Sequence, residues 1–593
     1  MQLSPSPDLG PMPRLLVVAA FIAMVVCAIL AWLYPMSARL GDTDDAMRLV
    51  MVRDLLAGRG WYDQEITRLQ PPIGLYMHWS RLLDGGIAGL TVFLRLFMAP
   101  SAAEWCARFL WPLAWIFPAV TCALLVARNL GGRAAVLLTA PLLMIDLPLY
   151  RQFIPGRIDH HNIQIVMTMA ALAGAVAKND RARWGCFAGV AAAFGLAIGL
   201  EALPLQALIG ASFGLSLARD RQDAPAAAAY GLSLAGASVI FFAAQTPPWR
   251  WSLTFCDALA FNLVAALVTA GVGLALAAWA ARAASTQVRV GFLVIVALAA
   301  AGVYLCSAPR CIHGPFADMN PAVRPFWFDT IQEVQPLPRM LDLAREPAVV
   351  AITMMIMALG AGIYLLGRWR GSPSTSALLM GGALIGACIT AYFTWRMQDY
   401  VFWIGMPAIG AAYSLIAARR LRDLMAPSLA AATILSPTFV GAAAAKAVSL
   451  AQAAGAVAAP QPQLNLKKCF DPRLYRPLAT LPPGVVLSAQ DLGPFILAFT
   501  HHSALAAPYH RMSDEILRVH QAWNASPTRA ETVVRGLGAT YVIDCPPYPM
   551  GAAAGTFGAR LRAGDTPPWL IPLSPPGAPL RILGVRPASP AAS

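Results

Sequence analysis

The stretch 14–33, RLLVVAAFIAMVVCAILAWL, opens on one arginine and then stays apolar to Leu33. A helix needs about 20 apolar residues to cross a bilayer core, so Leu15–Leu33 is read as a membrane span. It carries no small-residue cleavage site, and we expect a retained helix rather than a signal peptide. Similar runs recur near 105–127, 134–150, 162–177, 185–200, 202–218, 226–245, 261–281, 290–308, 348–367, 376–394, 401–418 and 428–452, predicting about thirteen transmembrane helices. The chain is thus expected to be a polytopic α-helical membrane protein.

Composition agrees. Of 593 residues 12% are charged, where a soluble domain carries about 25%. The net charge of +14 could point to nucleic acid, but the basic residues are scattered over short connections. With the N-terminus inside, the inner loops hold Arg128 and Arg133, then Lys178, Arg181 and Arg183, then Arg219 and Arg221, and later Arg282, Arg289, Arg368, Arg370, Arg419, Arg420 and Arg422. That is the positive-inside pattern, and no nucleic-acid partner is expected. An odd number of spans puts the tail outside. The expected organisation is a transmembrane domain over 1–452 with external loops 36–104, 151–161 and 309–347, a linker over 453–465, and a small external α/β domain over 466–593. In the tail, the apolar stretches Gly484–Leu487, Phe495–Phe499 and Thr540–Ile543 alternate with helix-like Asp514–Ala522 and Pro527–Gly536. Two cysteine pairs fall in regions placed outside, Cys306 with Cys311 and Cys469 with Cys545, and either could form a disulfide there.

The external connections carry the chemistry-bearing side chains. Gly41-Asp42-Thr43-Asp44-Asp45 puts three carboxylates at the start of a helix, where they cap it or share a cation. The short turn Gly156-Arg157-Ile158-Asp159-His160-His161 offers Asp159 and His161 at i, i+2, able to converge on a divalent ion. Glu333 lies in Thr330-Ile331-Gln332-Glu333 on the long loop. Arg396 stands at a predicted external boundary, where it could grip a phosphate or pair with Asp399. Lesser candidates are His78 beside Trp79, Glu201 between two apolar runs, and His501, His502, His510 and Arg511 in the tail.

In this order the motifs resemble the catalytic subunit family of oligosaccharyltransferases, above all the bacterial and archaeal single-subunit enzymes of GT-C type. In that family a metal-binding Asp precedes an Arg-Asp-x-x-x-Gly stretch; here Arg53-Asp54-Leu55-Leu56-Ala57-Gly58 selects Asp44. The family's Gly-x-x-Asp-x-(Asp/His/Glu) motif is matched by Gly156–His161, its Thr-Ile-x-Glu motif by Thr330–Glu333, and its pyrophosphate-binding arginine by Arg396. One element departs: the family's Trp-Trp-Asp-Tyr-Gly, which binds the acceptor, is reduced to Ala489-Gln490-Asp491-Leu492-Gly493.

The resemblance implies an inverting transfer from a polyprenyl-phosphate or polyprenyl-diphosphate sugar to a glycan, lipid or protein acceptor, on the periplasmic side of a bacterial inner membrane. Asp44, Glu333 and Arg396 would be catalytic. Asp44, Asp159, His161 and Glu333 would hold Mg²⁺ or Mn²⁺, and His160, Thr330, Arg157 and His78 would contact donor or acceptor. Two alternatives stay open. One is a transferase moving a single sugar to a surface polysaccharide or lipid. The other is a transporter or flippase, although transport sites gather near the bilayer midplane and these acids lie on external connections.

Overall fold

The computed structural model describes residues 11–34, 40–280, 284–368, 374–417, 425–454, 466–546, 551 and 553–587. Each apolar run coincides with helix. Among the described residues eight segments are long and apolar enough to cross a membrane, from Met12–Leu33 to Trp395–Ala417. The expected count of thirteen goes beyond those eight. His161–Ala175, Arg181–Ile198 and Leu203–Arg219 stand outside that set, and the run near 428–452 is divided into Met425–Ile434 and Pro437–Ala454. The basic positions 282, 370, 419, 420 and 422 and most of the expected linker, 455–465, lie outside the described residues.

Local sequence explains the breaks. Ile116–Ile145 contains Gly132 at φ +70°, a left-handed conformation open to glycine, and this separates the two runs expected there. Small residues set the closest helix packing. A Cβ on Gly189 would lie 2.5 Å from the Tyr230 carbonyl oxygen, so Arg181–Ile198 and Ala224–Gln245 pack backbone against backbone, as small-residue faces do in lipid.

In the tail, five strands form one sheet in the spatial order Ser503–Ala504, Val485–Leu487, Tyr541–Asp544, Arg581–Val585, Leu570–Pro572. The first three are parallel and the last two run antiparallel. Ser513–Trp523 and Pro527–Gly536 are helical as expected. Phe495–Phe499 is not a strand: it belongs to the helix Gly493–Phe499, with Pro494 in the first turn where its missing N–H costs nothing. That helix packs on Thr43–Leu56, and Leu492, Phe495 and Ile496 share one core with Ala46, Val50 and Leu83 of the first external loop. The tail domain is thereby seated on the loop that bears the acids.

Two disulfides are present among the described residues. Cys469–Cys545 matches an expected pair. Cys311, however, bonds Cys256, not Cys306. Cys306 lies in the helix Thr286–Ser307 and is exposed, while Cys256 comes from the connection after Ala224–Gln245, with its Cα 5.2 Å from that of Cys311.

Candidate functional site

The carboxylates at 42, 44 and 45 take three different jobs. Asp42 caps the helix Thr43–Leu56, accepting from the backbone N–H of Asp44 (3.0 Å) and Asp45 (3.1 Å), and Asp45 returns a bond from the Asp42 N–H (3.2 Å), a capping box. Asp45 is also fully buried and holds the neighbouring turn: its Oδ1 accepts from the N–H of Ile158 (2.8 Å) and Asp159 (3.1 Å), and its Oδ2 from Arg157 (2.9 Å). Arg157 pairs with Asp42 as well and donates to Gln152 Oε1 (3.1 Å). The guanidinium expected to touch donor or acceptor is therefore engaged in fastening the turn 157–161 to the helix N-terminus. Asp44 remains. Its carboxylate has no hydrogen bond or ion pair among the described residues. Burial first, then the charges of Asp159, Asp42 and Glu333, push it well above the usual carboxylate range.

The fastened turn presents Asp159. Its Oδ1 lies 2.6 Å from His160 Nδ1 and its Oδ2 3.1 Å from His161 Nε2. Burial alone would raise this acid, but the two imidazoles outweigh it and hold Asp159 well below its ordinary value. Arg48 stands 3.9 Å away, anchored on Asp84 (2.7 Å) and stacked 4.5 Å over the Trp79 ring.

From Asp159 a chain of polar contacts runs across the site. His161 Nδ1 meets Glu201 Oε1 at 3.1 Å; Glu201 also accepts from the Tyr400 hydroxyl (2.9 Å) and has Arg396 at 3.7 Å; Arg396 in turn pairs with Glu333. Burial works against the Glu333 carboxylate, yet the Arg396 charge brings it down to about 2. Arg396 thus faces the acids, and its alternative partner Asp399 is bound by Arg151 (2.5 Å) and Gln152 (3.0 Å).

One ligand atom each from Asp159, His160 and His161 lies within 4.8 Å of the others. Among the described residues the buried Asp159 Oδ2, 3.1 Å from His161 Nε2, and Glu201 Oε2, 3.7 Å from Arg396, have no hydrogen-bond partner, and Asp44 is unpaired. Oxygen and imidazole donors gathered in this way fit a divalent cation. Glu201 against His161 Nδ1 gives the carboxylate–imidazole pairing that orients a metal-binding histidine.

Other sequence candidates fall elsewhere. Thr330 Oγ1 donates to the Trp327 carbonyl (2.6 Å) inside its own loop. His501 and His502 bond backbone carbonyls of Leu481 and Leu478. His78, its ring 6.2 Å from that of Trp79, forms a second cluster with Asp257 and His510. Asp257 accepts from His510 Nε2 (2.7 Å) and, at both oxygens, from Arg511 (2.8 and 2.7 Å). Sequence reading gave Glu201 little weight and missed Arg48, Asp257 and Tyr509. Each is set by contacts distant along the chain, so neighbouring residues carry no signal for them.

No family model matches the chain, and no curated protein sequence matches it. Among solved structures it is similar to the archaeal oligosaccharyltransferase AglB from Archaeoglobus fulgidus in complex with an inhibitory peptide and a dolichol-phosphate: TM-score 0.66, 15% identity, over 90% of this chain and 69% of that one. The Archaeoglobus fulgidus oligosaccharyltransferase tethered to an acceptor peptide containing the NVT sequon gives a TM-score of 0.65 at 15% identity, over 90% and 69% of the two chains. The same enzyme in complex with Zn and sulfate gives 0.62 at 15% identity, over 90% and 68%. The resemblance drawn from the motifs therefore extends to the fold, a helical membrane architecture with a C-terminal domain.

Proposed function

We propose that this chain is a membrane glycosyltransferase. It moves a glycan from a polyprenyl-phosphate or polyprenyl-diphosphate carrier to an acceptor on the periplasmic face of a bacterial inner membrane, with inversion at the sugar carbon. The observation that carries this reading is the unpaired Asp44 carboxylate beside the chain of contacts from Asp159 to Arg396 and Glu333. An acceptor atom attacks the sugar carbon in line. The bond from that carbon to the phosphate oxygen breaks with its electron pair on the oxygen, and the acceptor's proton goes to Asp44. Arg396, in a partly dehydrated setting and already oriented by Glu201 and Glu333, offers N–H donors to the oxygen where charge grows.

Asp44, Asp159, His161 and Glu333 would hold a divalent ion, Mg²⁺ or Mn²⁺, which when bound supplies positive charge to the departing phosphate. Asp45 and Arg157 keep the turn bearing Asp159 and His161 in place. The dolichol-phosphate, acceptor peptide and Zn in the similar structures support a lipid-linked donor, an acceptor site and a metal. The disulfides Cys256–Cys311 and Cys469–Cys545 support an oxidising, extracytoplasmic side. A single-sugar transferase is favoured as the second reading by Ala489–Gly493, whose Ala489 and Leu492 are core residues and which lacks the aromatic acceptor motif.

The test uses protein reconstituted with a lipid-linked glycan donor. Asp44→Ala and Glu333→Ala are expected to abolish transfer and a chelator to suppress it. Equal turnover by wild type and both variants would refute the assignment.

A further inference from the structure

The C-terminal domain sends Tyr509 into this site. The side chain is 4% exposed, its buried hydroxyl has no hydrogen-bond partner among the described residues, and its ring meets Trp79 edge-on at 5.3 Å. The Trp79 ring in turn lies 6.5 Å from His160 and beneath Arg48, which neighbours Asp159. Burial most of all, then the charges of Asp44, Asp159 and Asp42, hold the phenol well above its ordinary range, so its O–H stays an unspent donor in the core that Tyr509 shares with Ala46, Met47 and Trp79.

Trp79 also forms part of a cavity of about 50 Å³, the room of one or two water molecules. Its walls include the Tyr76 and Phe255 rings and the Gln64 and Gln245 amides. Gln64 Oε1 and His78 Nδ1 border it, both buried and without hydrogen-bond partners among the described residues. Arg250 lies 3.7 Å over the Tyr76 ring with no carboxylate paired to it among the described residues. Unsatisfied polar atoms between aromatic rings are matched by a molecule with hydroxyls on a carbon frame, and the cavity admits a ring substituent rather than a whole ring.

We propose that the acceptor is a glycan. Its attacking hydroxyl sits between Asp44 and Tyr509, and a substituent of the same sugar enters the cavity behind Trp79. This rests on the glycosyl-transfer reading above. A hydroxyl has one proton and two lone pairs. The proton is matched by Asp44, one lone pair attacks, and the other accepts from the phenol. An amide nitrogen has its lone pair tied up in resonance and cannot accept in this way.

The experiment reconstitutes the full chain in lipid nanodiscs with the radiolabelled polyprenyl-linked sugar fraction of its source membranes. It offers octyl glycosides of glucose, galactose and mannose, an Asn-X-Thr peptide, and water. Label is expected on an octyl glycoside and not on the peptide. Tyr509→Phe, which keeps the ring, is expected to lower the ratio of transfer to donor hydrolysis about 10-fold, the loss of one hydrogen bond to a reacting oxygen. Arg250→Ala is expected to raise KM for the glycoside more than it lowers kcat. Labelling of the peptide in preference, or a wild-type ratio in Tyr509→Phe, would overturn the proposal. Donor hydrolysis with neither acceptor labelled would sink this inference alone, whereas a wild type that consumes no donor would take the glycosyl-transfer reading with it.

Discussion

Asp45→Asn separates positioning from chemistry, because Asp45 touches no reacting group in the proposed reaction yet holds the turn that does. Its Oδ1 accepts the two backbone N–H groups of Ile158 and Asp159, and an asparagine carbonyl keeps both. Its Oδ2 accepts from Arg157 and from the Asp42 N–H, and there the substitution places an NH₂ against two donors. Stranding a buried donor costs about 1–3 kcal/mol, so the two together cost about 3 kcal/mol, tempered by the Arg157–Asp42 pair that survives. A displacement of the Asp159–His161 turn on the scale of 1 Å lowers the rate about 100-fold. Initial transfer rates with a lipid-linked donor, run beside a thermal unfolding curve in detergent, read both effects. An Asp45→Asn protein with more than half the wild-type rate would show that the turn does not depend on this carboxylate.

Acidification tests the second cluster. His78 is held well below its ordinary value, by burial first, so the unfolded chain binds a proton that the folded chain refuses. Stability is then complete above about pH 6.5 and falls by about 1.4 kcal/mol per pH unit below it, and His78→Phe should flatten that slope in unfolding curves from pH 7 to pH 5. Glu201→Gln removes the carboxylate that orients His161 and should raise the metal concentration for half-maximal activity about 10- to 100-fold; an unchanged metal titration would exclude this role. Cys256→Ser opens a ring spanning 55 residues and should cost about 2–4 kcal/mol, seen as earlier proteolysis of the 309–347 loop.

Legibility in the sequence followed contact range. The spans announced themselves by composition, and Asp159 and His161 stand two positions apart, so their meeting was readable from the turn alone. Selecting Asp44 over Asp42 needed the Arg53–Gly58 stretch; in the structure the carboxylates of Asp42 and Asp45 are taken up by the cap and by the backbone of 158 and 159. Cys306, the nearer candidate for Cys311, is exposed on its helix, whereas the chain brings Cys256 in from beyond two spans, Phe261–Ala280 and Thr286–Ser307. Phe495–Phe499 is a short apolar run without a readable period, and Gly493-Pro494 set it as a helix start. Tyr509 gave no local sign at all: a lone Tyr between Pro508 and His510 acquires meaning through Trp79, which is supplied by the first external loop.

The shared core of the helices Thr43–Leu56 and Gly493–Phe499 has a consequence for biogenesis. A ribosome releases Asp44 before Arg396 and Arg396 before Tyr509, and segments emerging in that order fold in that order. A half-made chain already inserted in the bilayer would hold acids but neither the arginine nor the phenol that complete their surroundings. The surroundings of the acids are therefore complete only once the helix Gly493–Phe499 has docked on Thr43–Leu56.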